Sequence, residues 1–184
     1  KILAVGTRAA VRAKAGADAK TVDLGGKTLM PAFLDAHSHF INALAIMSQA
    51  NVSAPPVGPA KDFAGILAAL KKFKAERKIP DGELIIGYGY DENNMPNGEV
   101  LTRDAIDSVL PNNPAMVIHV SLHGAVLNSA AMKMYGISAK TKTPPGGIIA
   151  RKPGSNEPAG LIMETAWIPI FAKLPQPKKE DSLK

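Results

Sequence analysis

The chain has 184 residues, 46% of them apolar and 21% charged, enough for one sizeable core or two small ones. Its 22 basic and 16 acidic residues leave a net charge of +6, but the excess is dispersed. One Trp and three Tyr cannot supply the aromatic-interleaved basic patch of a nucleic-acid binder. No apolar run approaches the ~18 residues of a membrane-spanning helix. The absence of cysteine excludes disulfides and thiolate metal sites and suits a cytoplasmic protein.

Lys1-Ile-Leu-Ala-Val5 reads as the middle of a strand, which implies that sequence precedes it, a signal peptide being one option. Residues 2–5, 11–14 and 20–24 are β-like pieces separated by Gly6, Gly16 and Gly25-Gly26, and they predict a small sheet ahead of the main fold. Residues 27–40 carry few charges, as a strand buried on both faces would. They end in Met30-Pro-Ala-Phe-Leu-Asp-Ala-His-Ser-His-Phe40. Side chains two apart on a strand share a face, so His37 and His39 can grip one metal ion, and Asp35 lies on the same face. A His-x-His pair by itself specifies little.

Pro55, Pro56 and Pro59 mark a boundary, after which Phe63, Ile66, Leu67, Leu70 and Phe73 predict an amphipathic helix that stops before Pro80-Asp81-Gly82. The basic run Lys71-Lys-Phe-Lys-Ala-Glu-Arg-Lys78 is its solvated end. Residues 84–88 predict a strand, Thr102 caps a helix ended by Pro111, and 115–120 is an apolar strand. Asn128 or Ser129 caps a further helix closed by Gly136. Residues 148–151 and 160–163 form the arms of a hairpin. Glu164 opens a last helix, interrupted by Pro169, before a polar tail. Methionines 47, 132, 134 and 163 read as core.

Seven segments, in this order and spacing, resemble the amidohydrolase superfamily, in its family 3 branch of formamide deformylases and N-acyl-amino-acid deacylases. They are Ile2-Leu-Ala-Val-Gly6, Asp23-Leu-Gly-Gly-Lys27, the histidine run, Gly87-Tyr-Gly-Tyr-Asp91, His123-Gly-Ala-Val-Leu-Asn-Ser129, Pro145-Gly-Gly147 and Gly160-Leu-Ile-Met-Glu-Thr-Ala166. One departure is Pro31-Ala32-Phe33, where the family commonly has Pro-Gly-Phe. The resemblance implies an α/β fragment of a metal-dependent hydrolase (β/α)8 barrel. Its parts would be a portion of a small β-sandwich (1–29), the first barrel strand and the segment after it (30–60), an inserted α/β subdomain (61–163) and a return towards the barrel (164–184). A complete barrel needs ~250 residues, so the chain reads as incomplete and inactive alone.

The resemblance further implies one or two divalent ions, zinc foremost, with His37 and His39 as two ligands and the remaining ligands and the general base from later strands. Asp35 would orient a ligand or satisfy backbone groups near the strand end. His119 and His123 are four apart, but their β-like setting argues against a shared ion. His123 is the better candidate for a substrate contact, against a structural histidine bonded in its turn. Tyr88, Tyr90 and Asp91 are candidates for the pocket, against core and turn roles, and Asn128 reads as a helix cap. The reaction implied is hydrolysis of an amide or formamide C–N bond in a small molecule by metal-activated water. Cyclic-amide hydrolysis or deamination is the alternative, and a non-catalytic assembly module is an alternative of another class. Nucleic acid and membrane are not expected partners, and homo-oligomerisation is compatible with this reading.

Overall fold

A computed structural model describes residues 1–34, 36, 39–96 and 99–175, without the side chains of 40–42. The chain divides into two compact units, Lys1–Ser38 and His39–Lys184.

The first unit contains helix α1 (Arg8–Lys14), none of whose residues is buried. This corrects the strand expected at 11–14. Thr7 caps the helix by accepting from the Ala10 N–H at 3.3 Å, and Arg-Ala-Ala-Val-Arg-Ala-Lys is rich in helix formers. The expected strands at 2–5, 20–24 and 27–40 are also absent among the described residues. An extended run becomes a strand only when a neighbour pairs with it, and no described segment does so here.

The second unit opens with α2 (Phe40–Ile46) and is organised by a six-stranded sheet in the order β1-β2-β3-β4-β6-β5. The strands are β1 (Ala50–Asn51), β2 (Ile85–Tyr90), β3 (Ala115–His119), β4 (Gly124–Leu127), β5 (Gly147–Arg151) and β6 (Pro158–Glu164). The first three are parallel, and the pairs from β3 onward are antiparallel. Strand β3 is buried from Ala115 to Ile118 because both sheet faces are covered. Period-two alternation sends Val117 and Val126 into one core with Val52, Ile66, Leu70 and Ile106. Met116, Ile118, Ala125 and Leu127 enter the other, with Met132, Ile162 and Trp167.

Three helices follow the expected local rules. Helix α3 (Phe63–Arg77) starts at Asp62, whose carboxylate accepts from the Gly65 N–H, and ends at Lys78 in the left-handed region. Thr102 caps α4 (Arg103–Val109), and Asn128 caps α5 (Ser129–Met134). The hairpin of β5 and β6 is also present. Glu164, however, ends β6 rather than opening a helix, and Pro169 sits in the first turn of α6 (Ile168–Phe171). Proline lacks the N–H that this turn leaves unpaired anyway, so it starts the helix instead of breaking it. Met132 is core, whereas Met47 and Met134 are exposed. No helix among the described residues is long and apolar enough to cross a membrane.

Candidate functional site

The register of the sheet gathers polar side chains at one of its ends. Tyr90 of β2 pairs with His119 of β3, and Gly124 of β4 with Met163 of β6. This end therefore carries Tyr90, Asp91, Glu92, His119, Ser121, His123 and Glu164.

Of the residues singled out in the sequence, Asp35 and His37 lie outside the described residues. His39 is exposed and immediately precedes α2, with φ −95° and ψ 35°, so the backbone there is entering a helix rather than continuing a strand. Tyr88 is half-buried, and burial raises the pKa of its hydroxyl. Tyr90 is 3% exposed, and its hydroxyl accepts the Leu101 N–H at 3.1 Å. Burial, the largest influence, raises its pKa too. Its place is the core, where it braces the segment leading to α4. Asp91 caps a short 3-10 turn (Glu92–Asn94) by accepting from the Asn93 N–H at 2.9 Å and from the side-chain amides of Asn93 and Asn94.

Asn128 is a cap, as expected, and more. Its Oδ1 accepts from the Ala115 and Ala131 N–H groups, and its Nδ2 donates to the Leu110 and Asn113 carbonyls, all within 3.1 Å. It is fully buried and joins β3, α4 and α5.

The two histidines at this end do not converge on one partner. His119 Nε2 lies 3.0 Å from Glu92 Oε2, and Asp91, Glu92 and His119 each offer a ligand atom within 4.8 Å of the others. That spacing would admit a divalent ion, but the proton positions oppose it. The Ser121 N–H donates to His119 Nδ1 at 3.1 Å, so Nδ1 is the acceptor and a neutral ring carries its proton on Nε2. A metal on Nε2 would displace that proton to Nδ1, against the Ser121 N–H. The contact with Glu92 is close but not aligned as a hydrogen bond, which leaves Nε2 buried without an aligned acceptor. The trio thus reads as a polar cluster bracing the end of β3.

His123 Nδ1 instead faces both carboxylate oxygens of Glu164, at 3.2 and 3.3 Å, and the Glu164 N–H donates to the His123 carbonyl at 2.9 Å. The His123 side chain is 64% exposed and that of Glu164 46%. Sequence reading misses this pair, because it treats Glu164 as the start of a helix. The backbone is also unusual here. Among the described non-glycine residues, positive φ occurs at Lys78, Leu122 and Glu164. Lys78 is a helix end, while Leu122 and Glu164 flank His123. A left-handed backbone costs a residue with a Cβ about 1 kcal/mol relative to glycine. An exposed histidine–carboxylate contact contributes at most about 1 kcal/mol, even with the ring charged. Fold stability alone therefore gives no net reason for glutamate at 164.

A separate cavity of about 490 Å³ in the first unit is lined by Arg8, Arg12 and Lys20 among small residues and contains no histidine or carboxylate.

Comparison with known proteins places this arrangement in a wider setting. The chain is 35% identical over 166 residues to an N-substituted formamide deformylase of Arthrobacter pascens, covering 90% of this chain but 30% of that protein. It is 32% identical to the putative amidohydrolase YtcJ of Bacillus subtilis, covering 86% of this chain and 28% of that one. Crystal structures of uncharacterized metal-dependent hydrolases from Pyrococcus horikoshii and Pyrococcus furiosus are similar with a TM-score of 0.49 each. Their identities are 20% and 19%, with 78% and 83% of this chain and 24% and 27% of those chains covered. The chain thus spans under a third of the length of these relatives. The family model described as the amidohydrolase family matches residues 20–184, so nearly all of this sequence, from before the histidine run through its last residue, belongs to the amidohydrolase family.

Proposed function

We propose that the chain forms part of a metal-dependent hydrolase that cleaves a non-peptide C–N bond, an amide or a formamide. The observation that carries this reading is the family match over residues 20–184, supported by the 35% identity to a protein named as a formamide deformylase. The chain spans 30% of that protein, so the activity is proposed for the whole enzyme, and no general base or further ligand is assigned among these residues.

His37 and His39 are the proposed ligands, in preference to the Asp91, Glu92 and His119 trio, because His119 Nδ1 accepts from the Ser121 N–H and that bond disfavours the tautomer needed for a metal on Nε2. Imidazole nitrogens with oxygen donors suit zinc. A divalent ion, when bound, supplies Lewis acidity towards a carbonyl and lowers the pKa of its water to about 7. What the described residues contribute is recognition. His123 presents a ring from the sheet end, with Tyr88 on the neighbouring part of the sheet, and Asp91 shapes the turn between β2 and α4. In this reading the sheet with its helices covers the barrel mouth and limits which amides enter.

The test is metal analysis of the full-length protein with a panel of N-formyl and N-acyl amines. The expected result is bound divalent metal, zinc foremost, and release of formate or carboxylate. His37→Ala and His39→Ala should each remove metal and turnover together. Turnover that survives both substitutions, or release of ammonia from a deaminated substrate instead, overturns the reading.

A further inference from the structure

His123 and Glu164 hold each other through two kinds of contact. The Glu164 N–H donates to the His123 carbonyl, and the His123 ring returns through Nδ1 to both carboxylate oxygens. An ionised carboxylate only accepts hydrogen bonds, so Nδ1 carries a proton, and whenever the ring is neutral Nε2 is the nitrogen that keeps a lone pair. The His123 side chain is 64% exposed. Hydrogen bonds tie its turn to neighbouring elements. The Trp167 Nε1–H donates to the Leu122 carbonyl at 2.9 Å, and the Leu122 N–H donates to the His119 carbonyl. A Cβ at Gly124 would lie 2.7 Å from the Ile162 carbonyl oxygen, so β4 and β6 are in close contact beside the pair. The carboxylate is delivered by a backbone at φ +55°, a conformation that glycine would adopt more easily.

We propose that Glu164 is a positioning residue that fixes His123 in its Nδ1–H form, so that Nε2 accepts a hydrogen bond from the N–H of a secondary amide substrate. This rests on the amide-hydrolase reading above and adds a selection rule to it. An N-monosubstituted amide or formamide has the N–H that satisfies Nε2, whereas an N,N-disubstituted analogue does not. A site built to pair with a polar hydrogen discriminates strongly against an analogue that lacks it.

The experiment uses the full-length protein labelled with 15N-histidine, with the His123 ring signals identified by their loss in His123→Phe. Long-range proton–nitrogen spectra near neutral pH should show Nδ1–H in the wild type and in Glu164→Gln, whose amide oxygen can still accept. Glu164→Gly should shift the ring to Nε2–H. In parallel, kcat/KM is measured for N-benzylformamide and N-benzyl-N-methylformamide. The preference for the secondary formamide should fall at least tenfold in Glu164→Gly, mainly through KM, and return in Glu164→Gln. Lys78→Gly is the control, since it relieves the same backbone conformation at a helix end remote from this pair in sequence and should change neither the spectrum nor the preference. An unchanged tautomer in Glu164→Gly overturns the proposal, as does a preference that Glu164→Gly leaves intact. If the wild type hydrolyses no amide at all, the functional reading and the selection rule fail together, while the spectra still decide whether Glu164 sets the tautomer.

Discussion

Asn128 and the His123–Glu164 pair stand at opposite ends of the six-stranded sheet and use their polar groups in opposite ways. At the end where β3 begins, Asn128 directs all four of its side-chain hydrogen bonds inward, to Ala115, Ala131, Leu110 and Asn113. At the end where β3 stops, His123 and Glu164 satisfy only each other and leave most of the imidazole surface outside. Buried polar groups that are fully paired hold elements together, whereas a paired but exposed group retains capacity for a ligand. Asn128 therefore holds elements of the fold together, whereas the His123 ring keeps hydrogen-bonding capacity towards solvent.

Substitutions can break or sharpen that contrast. The largest effect is expected for Asn128→Ala, which strands two backbone N–H groups and two carbonyls in the core. A loss of about 3–4 kcal/mol should appear in urea denaturation. Gly124→Ala tests whether the second end depends on close strand contact. The added Cβ would meet the Ile162 carbonyl oxygen and Met163 Cγ, each at 2.7 Å. A loss of about 1–3 kcal/mol is expected, and the His123 ring signals should move as β4 is displaced from β6.

A third test concerns acid stability near the first end. The Lys152 ammonium, followed by the Arg103 guanidinium, holds the Asp104 carboxyl below its usual pKa, and Arg103 does the same for Glu157. A depressed folded-state pKa contributes stability that is fully present above the unfolded value, about 4. That contribution is lost as pH falls through the lower folded value. Thermal midpoints should thus decline below about pH 4, and less steeply in Asp104→Asn and Glu157→Gln. The smallest effect is expected for Glu92→Gln, since the His119–Glu92 contact is partly exposed and worth under about 1 kcal/mol. It should also leave the metal content of the full-length protein unchanged, whereas His39→Ala should not. Metal lost in Glu92→Gln would return the Asp91, Glu92 and His119 trio to consideration as a binding site.

Much of the second unit is legible because its signals are local. Thr102 and Asn128 announce helix starts within three residues of the N–H groups they cap, and the paired runs around Pro153-Gly154 announce a hairpin. Where expectation and structure differ, the causes are equally specific. Thr7 capping an alanine-rich run is the signal for α1, and the glycine-punctuated composition around it masks that signal. Strand β4 is four apolar residues, too short to show a period, and exists because β3 and β6 flank it. Residues 27–40 look like a strand by composition, but a strand requires a partner. Tyr90 carries no mark in the sequence to say that its hydroxyl serves Leu101. The histidine pair at 37 and 39 is the clearest chemical signal in the chain, and of the two only His39 lies within the described residues.

The sequence by itself determined the caps of α4 and α5, the strands β2 and β3, the β5–β6 hairpin and the family, because each depends on residues close together along the chain or on a pattern of short segments. Only the tertiary structure decided the strand order and the meeting of His123 with Glu164, 41 residues apart. Hydrogen bonding between β4 and β6 is non-local, and the same register that pairs Gly124 with Met163 sets the carboxylate against the imidazole and the backbone of Glu164 in its left-handed turn.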